Sequence, residues 1–590
     1  HTDVSLRDAA ALVAQYGGWI RSTVHSINTL VVEMPYSQII ALAAEDMVMY
    51  VEPPLPQFSE LNNSNRARVG ADAAQNPPYS LDGSGVRVLV YDGGGVLTTH
   101  ADLTGRVRAG DGAALADHAT HVAGTIGGDG TASSGTYRGM APGVVFDSYE
   151  FSTGGPLQAG FLYTDPGDIE ADYNDSMNNF GSDIANNSIG SNVAPNGFPC
   201  EWEGDYNVTS ALIDAIARGS LGAPYRIVWA GGNERNSGAC GTTYYTTAPP
   251  AGAKNHVAVG ALNSNNDTVT SFTSWGPTDD GRLKPDISAP GCQTDDDNGV
   301  TSCSSSGGYS TKCGTSMASP TTCGVGALLL QQFRLSYPGE ADFRNSTLKA
   351  ILAHTAVDIA NVGPDFQSGY GSIRAVPAIE MVQSGNFFEG EVVQGESVQV
   401  LVLVTAGDPQ LKVTLTWDDA PGTPAVNPVL VNDLDLRVFD PNLVRHYPWT
   451  LDPNIPSTPA VQTQEDHTNN IEQVVIDAPA AGAYLIEIHG FNVPQGPQSF
   501  SLVASPVLIQ CSTKGQVVLD RDKYTCQTTL SVKVNDCDLN TNDAVVETVD
   551  INIASTSEPG GEIITLTETA AETAEFVGTL PLDTTDAARS

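Results

Sequence analysis

Basic residues are scarce in this chain of 590 residues, which has 27 Lys and Arg against 68 Asp and Glu and a formal net charge of −41. A nucleic-acid-binding surface needs clustered basic residues to displace phosphate counterions, and an anionic membrane attracts the same residues. The composition therefore disfavours nucleic acid and anionic membranes as partners. Charged residues make up only 16% of the chain and hydrophobic residues 41%, which indicates a globular protein and not an acidic disordered tail.

Long apolar runs and closely paired cysteines are also missing. No stretch of 18 apolar residues occurs, so we predict no membrane span. None of the nine cysteines lies in a C-x-x-C pair, which makes zinc and thioredoxin-type sites weak interpretations. We expect disulfides in an extracellular protein, with Cys200–Cys240 and Cys303–Cys313 as pairs and Cys323 as a free thiol among apolar helix residues.

Changes in residue pattern divide the chain into four predicted domains. Residues 1–57 have the spacing of an α-β-β-α-β unit whose last strand is Val48–Val51. Residues 58–384 alternate short apolar strands with helical stretches, as in a parallel α/β sheet. Residues 385–505 are short strands separated by Pro, Gly and Asn, which indicates a β-sandwich or jelly roll, and residues 506–590 are a further β-rich segment.

Three separate blocks contain the residue types of nucleophilic catalysis. Asp92 follows a buried strand, His118 begins a helix of small residues, and Ser316 begins a long apolar helix. A serine hydroxyl is a poor nucleophile unless a base takes its proton, and a histidine does so when a carboxylate holds its tautomer. Two alternatives stay open at this stage. Asp102 is a rival carboxylate, which we expect to cap a helix, and either His118 or His121 is a packing residue.

The blocks DHATHVAGT, WAGGNERNSG and GTSMASP, at residues 117–125, 229–238 and 314–320, resemble the signature blocks of the subtilases. The order Asp, His, Ser is also the order of that family. GPTDDGRLKPD, at residues 276–286, and the β domain that follows resemble large bacterial alkaline subtilases with a C-terminal β-barrel. The resemblance implies a subtilisin-like α/β catalytic domain between an N-terminal propeptide-like α+β domain and C-terminal β-sandwich or jelly-roll domains. It also implies a secreted serine endopeptidase acting on protein or peptide substrates.

The resemblance assigns a role to each matching position. Ser316 becomes the nucleophile, His118 the general base, Asp92 the orienting carboxylate and Asn233 the oxyanion-hole amide. The segments expected to bind the substrate backbone and to form a wall of the P1 pocket are Ser188, Ile189, Gly190, Ala230, Gly231 and Gly232.

Two positions depart from the family pattern. Gly93 stands where the family usually has Ser or Thr, which removes a hydroxyl that could bond the carboxylate. Ala119 stands where the family usually has Gly, and its methyl group could crowd the site. These departures keep alternatives open, namely an inert subtilase scaffold acting as a surface or structural protein, or adhesion by the β domains.

The terminal domains resemble known modules. Residues 1–57 resemble a subtilase propeptide, an inhibitor and folding aid, with its first strand missing before His1. The resemblance predicts that Ser316 cleaves the chain between about Val51 and Arg68, and a retained structural domain is the alternative. Residues 506–590 resemble tandem β-sandwich repeats, so we expect the natural chain to continue past Ser590.

Clusters of side-chain oxygens suggest structural calcium, a hard cation that prefers carboxylates and carbonyls. The first candidate is Asp433 and Asp435 with Asp466 and Asn470. The second is Asp536 and Asp538 within residues 535–540, together with Asp543. Residues 295–298 are a third candidate, for which a solvated acidic loop is an equal alternative.

Overall fold

The structure is a computed structural model of the whole chain, and it describes the following residues: 4–24, 29–48, 51, 64–151, 166–191, 193, 198–235, 240, 243–294, 298–509, 516–519, 528–536, 539–542, 545–555, 560–569 and 574–582. These residues fall into two compact units, residues 1–60 and residues 61–590. Among them, no helix is both long and apolar enough to cross a membrane.

The first unit packs two helices and a two-stranded antiparallel sheet around a small core. Its elements are α1 (Leu6–Gln15), β1 (Trp19–Val24), β2 (Thr29–Glu33) and α2 (Ile39–Ala43). The buried side chains of its core are Leu12, Val13 and Leu42. The last predicted strand is wrong where it can be seen, because Val48 and Val51 belong to no strand and residues 49–50 lie outside the described residues.

A parallel sheet of seven strands forms the centre of the second unit, in the order β4-β5-β3-β6-β7-β8-β9. The strands are β3 (Arg87–Asp92), β4 (Val107–Ala109), β5 (Val145–Glu150), β6 (Ile184–Asn187), β7 (Arg226–Ala230), β8 (Val257–Asn263) and β9 (Ile287–Cys292). A hairpin of β10 (Val300–Cys303) and β11 (Tyr309–Lys312) follows. The predicted α/β parallel sheet is confirmed.

Eight helices accompany this sheet in the described part of the unit. They are α3 (Ser64–Val69), α4 (Ala71–Gln75), α5 (Asp117–Gly127), α6 (Pro166–Phe180), α7 (Val208–Arg218), α8 (Thr315–Ser336), α9 (Asn345–Thr355) and α10 (Ala375–Ser384). The apolar sequence of α8 has a structural reason, because most of its side chains are buried. The helix contacts β6, β7, β8 and β9, so its first turn is fixed relative to the strand ends.

Two antiparallel sheets follow, in the orders β12-β19-β14-β17 and β16-β15-β18-β13-β20. Their strands are β12 (Phe387–Val392), β13 (Ser397–Val404), β14 (Gln410–Trp417), β15 (Asp433–Phe439), β16 (Arg445–His446), β17 (Ile471–Asp477), β18 (Gly482–Asn492), β19 (Gln498–Ser505) and β20 (Val507–Ile509). Apolar side chains from both sheets share one core, which includes Val402, Leu415, Trp417 and Ile486.

A third antiparallel sheet has the order β21-β22-β25-β24-β23. Its strands are β21 (Gln516–Leu519), β22 (Thr529–Asn535), β23 (Thr548–Ile553), β24 (Glu562–Glu568) and β25 (Glu575–Pro581). Val532, Leu566 and Phe576 form its buried centre. The sequence therefore predicted correctly that the chain is rich in strands after the α/β region.

The cysteines partly follow the prediction. Cys200 and Cys240 form the expected disulfide, and Cys323 is a buried free thiol, as expected. The Cys303–Cys313 pair is wrong, because Cys313 pairs with Cys292. The pairing of β10 with β11 separates the two predicted partners, since Val300 lies opposite Lys312 and Cys303 lies opposite Tyr309. Cys303 is instead a buried free thiol.

A buried ion pair joins the α/β region to the β-sheets that follow it. Lys254 Nζ donates to Asp419 Oδ2 at 2.6 Å and to the carbonyls of Ala420 and Val429 at 2.6 and 2.9 Å. Both charged side chains are fully buried. Removing one partner of such a pair leaves the other charge buried without compensation.

Lys254→Met is therefore expected to lower the free energy of unfolding by about 3–5 kcal/mol. Chemical denaturation measures this, in a Ser316→Ala background that removes the proteolysis implied by the resemblance. Lys533→Met is the control, because Lys533 and Glu575 form a half-buried, solvent-accessible pair 3.0 Å apart, for which we expect less than about 1 kcal/mol. Equal effects of the two substitutions would contradict the prediction.

Candidate active site

The candidate catalytic residues gather at the carboxyl edge of the parallel sheet. Asp92 is the last residue of β3, His118 is the second residue of α5 and Ser316 is the second residue of α8. Asn233 follows the end of β7 by three residues. Loops at this edge of an open α/β sheet converge above the strand ends, which is why residues distant in sequence meet there.

Asp92 and His118 form a direct pair. Asp92 Oδ1 lies 2.7 Å from His118 Nδ1 and also accepts the N–H of Gly93 at 2.7 Å. Asp92 is 1% exposed, and its Oδ2 is buried without a hydrogen-bond partner among the described residues. The bond to Oδ1 directs the Nδ1 proton of His118 toward the carboxylate and leaves Nε2 as the nitrogen that can accept a proton.

The two departures from the family pattern fit this arrangement. A Cβ on Gly93 would lie 3.3 Å from Phe151 Cε1, so the aromatic ring occupies part of the space that a side chain would need. The Gly93 N–H supplies a hydrogen bond to the carboxylate. Ala119 is fully buried and belongs to the hydrophobic core. Neither residue disrupts the bond between Asp92 and His118.

Burial and the Asp92 carboxylate act in opposite directions on His118. Burial lowers the pKa of His118, whereas the charge of Asp92 and its hydrogen bond raise it, and the net pKa lies above the ordinary 6.5. The carboxylate thus stabilises the imidazolium that would form when His118 takes a proton.

His121 has a different environment from His118. Its Nε2 bonds the carbonyl of Val300 at 2.9 Å, and burial lowers its pKa to about 4. His121 is therefore a neutral packing residue of α5, and of the two histidines it is His118 that contacts the Asp92 carboxylate.

The rival carboxylate Asp102 lies in another cluster. It accepts the N–H of Ala132 and the hydroxyl of Tyr309, each at 2.7 Å, and it lies close to His100 and Cys303. The expected helix cap is wrong, because residues 101–105 form turns and no helix begins there. The backbone N–H that donates to Asp102 belongs to Ala132, in the short 3-10 helix Thr131–Ser133.

Ser316 exchanges hydrogen bonds with Ser188. The Ser316 hydroxyl donates to the Ser188 carbonyl at 3.0 Å, and the Ser188 hydroxyl donates to the Ser316 carbonyl at 2.9 Å. Within the described residues, no hydrogen bond joins Ser316 Oγ to His118. Catalytic hydrogen bonds are often absent from a free site and form with substrate, so a rotation of the Ser316 side chain is the step that would bring its proton to His118.

Asn233 is held by its side-chain oxygen. Oδ1 accepts the N–H and the hydroxyl of Thr315 at 3.0 and 3.1 Å, and Thr315 Oγ1 accepts the N–H of Gly232 at 3.2 Å. A Cβ on Gly314 would lie 3.7 Å from Asn233 Nδ2, which places the amide donor beside the start of α8. Sequence reasoning missed Thr315 as the residue that orients this amide, although it lies in the GTSMASP block.

The predicted substrate-binding residues follow two neighbouring strands. Ser188, Ile189 and Gly190 come directly after β6, and the Ile189 carbonyl accepts the Trp229 indole N–H at 2.6 Å. Trp229 is therefore a second residue that sequence reasoning missed, and its position on β7 couples the two segments.

Ala230, Gly231 and Gly232 end β7 and follow it. Gly232 has a φ of 106°, and a Cβ there would lie 2.8 Å from Ser274 Oγ. A Cβ on Gly231 would lie 2.9 Å from the Val259 carbonyl. Glycine is required at both positions, and this leaves a wall of bare backbone next to Asn233.

Two acidic side chains are buried close to this wall. Glu203 and Glu234 are each 3% exposed, and Glu234 directly follows Asn233. Burial, and to a smaller extent the charge of Glu234, raises the pKa of Glu203 to about 7. Glu203 Oε1 has no hydrogen-bond partner within the described ranges.

The raised pKa makes Glu203 a pH-dependent source of instability. Below its ordinary pKa of 4.5 the carboxyl is protonated in both the folded and the unfolded chain, and it costs no stability. As the pH rises from 4.5 to about 7, the unfolded chain loses this proton first, so the free energy of unfolding falls. Glu203→Gln is therefore expected to raise the free energy of unfolding at pH 9 by up to about 3 kcal/mol and to change it little at pH 4. Denaturation at both pH values tests this, with exposed Glu201→Gln as the control. An equal effect of Glu203→Gln at both pH values would refute the assignment.

The first calcium candidate forms a buried acidic cluster. Asp433, Asp435 and His467 bring potential ligand atoms within 4.8 Å of one another, and Glu472 lies nearby at 1% exposure. Asp433 Oδ1, Asp435 Oδ1 and Glu472 Oε1 are buried, and no described residue forms a hydrogen bond with them. Burial raises the pKa of Asp433 to about 7 and that of Glu472 well above its ordinary value. Oxygens left unpaired in this way fit a hard cation.

The other predicted ligands are placed differently. Asp466 accepts two backbone N–H groups and the Asn469 amide, and the Asn470 amide donates to the Trp417 carbonyl at 2.8 Å. In the second candidate Asp536 is described, whereas Asp538 and Asp543 lie outside the described residues. Residues 295–297 of the third candidate also lie outside them.

Comparison with known proteins identifies related sequences. A profile described as "Subtilase family" matches residues 83–371. Alkaline elastase YaB of Bacillus sp. (strain YaB) is 30% identical over 363 residues, which cover 60% of this chain and 79% of that protein. Serine protease AprX of Bacillus subtilis (strain 168) is 32% identical over 286 residues, 43% of this chain and 58% of AprX. The extracellular serine proteinase of Thermus sp. (strain Rt41A) is 27% identical over 339 residues, 53% of this chain and 69% of that protein.

Proposed function

This chain belongs to the subtilase family, and from that premise we propose that it is a secreted serine endopeptidase that cleaves protein or peptide substrates. The observation that carries the proposal is the 2.7 Å hydrogen bond between Asp92 Oδ1 and His118 Nδ1. It lies at the carboxyl edge of the sheet, where Ser316 stands in the first turn of α8. Ser316 attacks the peptide carbonyl, His118 takes its proton, and water hydrolyses the resulting acyl-enzyme.

Stabilisation of the oxyanion falls to Asn233 and the start of α8. Thr315 engages Asn233 Oδ1, which leaves the Nδ2 protons available to a developing negative charge. The positive end of the α8 dipole favours the same charge. A preorganised donor of this kind is worth about 3–4 kcal/mol of barrier. Extended peptide would pair with the backbone after β6, while Ala230–Gly232 would border the P1 side chain.

Export is proposed from two observations. The Cys200–Cys240 and Cys292–Cys313 disulfides are typical of oxidising compartments, and one relative is named an extracellular proteinase. We propose that the first compact unit is a propeptide removed by cleavage between about Val51 and Arg68. Intact 1–590 protein that is fully active on peptides would contradict that cleavage.

Labelling with a serine-directed fluorophosphonate tests the proposed activity. After removal of residues 1–57, we expect a single covalent adduct, which peptide mass spectrometry locates on Ser316. Ser319→Ala is the control, because Ser319 lies one turn further along α8 and its hydroxyl bonds Asn186 at 2.8 Å, so the label should persist. Correctly folded protein that takes no label would favour the inert-scaffold alternative.

Structural calcium is proposed at the cluster of Asp433, Asp435 and Glu472. When bound there, the cation would neutralise carboxylates that otherwise repel one another in a buried site. Excess chelator is expected to lower the stability by about 3 kcal/mol, the effect of removing a ligand present at one hundred times its dissociation constant. Thermal unfolding with and without chelator measures it.

Asp435→Asn should remove most of this response to chelator, whereas Asp477→Asn should keep it, since Asp477 is exposed. An unchanged melting temperature in excess chelator would count against calcium.

A further inference from the structure

A small cavity lies against α5, the helix that carries His118. Its volume is about 20 Å³, and its lining includes Asn65, Arg66, Gly124, Thr125 and Arg138. A space of this size holds one particle as large as a water molecule. We refer to it as the Arg66 cavity.

Two buried hydrogen-bond donors without acceptors belong to residues that line the Arg66 cavity. Asn65 is 8% exposed, and its Nδ2 has no hydrogen-bond partner among the residues that the structure describes. Arg66 Nε is buried and likewise has no hydrogen-bond partner in the described part of the chain. Donors buried without acceptors are rare because each forfeits its bonds to water, so a pair of them at one cavity indicates an acceptor that the cavity was built to hold.

The charged side chains that line the Arg66 cavity are positive, although the chain as a whole is strongly acidic. In the part of the chain that the structure describes, neither Arg66 nor Arg138 has a carboxylate within 4.0 Å. Arg66 donates to the carbonyls of Gly135 and Arg138, and Arg138 Nε donates to the carbonyl of Asp129. Two arginines without carboxylate partners are notable in a chain with 68 acidic and only 27 basic residues.

The two guanidinium groups also oppose each other. Burial and the charge of Arg138 lower the pKa of Arg66, and the carboxylate of Asp72, on α4, acts weakly in the opposite direction. A negative charge placed between the arginines would remove this repulsion and accept from both unpaired donors.

We propose that the Arg66 cavity binds a small monovalent anion of the size of chloride or bromide. The small volume suits a single monatomic ion, and the two positive charges favour an anion over a water molecule. The bound anion would fasten α3 to α5, because Arg66 belongs to α3 and Gly124 and Thr125 to α5. Arg66 lies within the region where cleavage is expected. The anion would therefore hold this part of the chain against α5, the helix that carries His118.

Crystals of the full chain carrying Ser316→Ala, which would not process itself, grown in sodium bromide provide a direct test. Diffraction at the bromine absorption edge should give an anomalous peak within hydrogen-bond distance of Asn65 Nδ2 and Arg66 Nε. A refined water molecule at this position, with no bromine signal, would overturn the proposal.

Thermal unfolding provides the second measurement. Replacing sodium gluconate by sodium chloride at constant ionic strength should raise the midpoint by about 2 °C or more. Asn65→Leu, which removes the amide donors but keeps the size of the side chain, should abolish both the shift and the bromine peak. Arg68→Met is the control, since Arg68 lies on the same helix but bonds Asp267 and the carbonyls of Ser264 and Asn265, and it should retain both. An equal chloride response in Asn65→Leu and the unsubstituted chain would refute the site.

Discussion

Replacing Ser316 by alanine is expected to lower kcat on a peptide substrate by about 10⁶-fold, with little change in KM. The magnitude is the one that removal of a triad nucleophile produces, because without the hydroxyl no acyl-enzyme forms and only oxyanion stabilisation and substrate binding remain. The loss concerns chemistry and not binding, since the backbone after β6 and the wall at Ala230–Gly232 are unchanged. Steady-state hydrolysis of a chromogenic peptide measures both constants.

The same substitution should also leave the chain uncut between Val51 and Arg68, if the protein processes itself. Ser319→Ala is the matched control for both readouts, because it removes a hydroxyl from the same helix without touching Ser188 or His118. We expect its kcat to stay within a few-fold of the unsubstituted enzyme. Hydrolysis by Ser316→Ala at the rate of the control would show that another residue carries the reaction.

Asp92→Asn is expected to lower kcat by about 10⁴-fold near neutral pH. An asparagine amide would donate to Nδ1, so the imidazole proton would lie on Nε2. Nε2 would then have no free lone pair to accept the proton of Ser316. The buried position of Asp92 preserves the geometry, so the variant should fold and should still react with Ser316-directed reagents, more slowly.

The pH dependence gives this prediction a second readout. His118 must be neutral to act as a base, and its pKa lies above 6.5, so activity should fall as the pH drops through a value above 6.5. Removing the Asp92 charge removes the cause of that rise, and the acid limb should move to lower pH. Asp102→Asn is the control, because Asp102 bonds Ala132 and Tyr309 and should leave the limb where it is. An equal shift in both variants would contradict the assignment of Asp92.

Local sequence was sufficient where chemistry and secondary structure coincide in one short block. The apolar run of β3 followed by Asp92 indicates a buried parallel strand with a carboxylate at its end, and the helix starts at His118 and Ser316 follow from the same kind of pattern. Parallel strands align their carboxyl ends, so residues that follow such strands are expected to lie close together. The resemblance of the three blocks to one family implied the same.

Tertiary packing decided the features that depend on residues far apart in the chain. The disulfide of Cys313 goes to Cys292 and not to Cys303 because the β10–β11 hairpin sets the register. Asp102, the rival carboxylate in the turns after β3, belongs to a different cluster because those turns place it beside Tyr309. Neither outcome is encoded in the spacing of the residues.

What the sequence determined by itself is the scarcity of basic residues, the α/β and β-rich segments, and the family to which the catalytic blocks belong. Only the tertiary structure decided how the few basic residues are used. It buries Lys254 against Asp419, and it places Arg66 near Arg138 with no carboxylate of the described residues within 4.0 Å of either. The physical reason is that charge composition is a sum over residues, whereas the energy of each buried charge depends on the distances and desolvation that packing alone fixes.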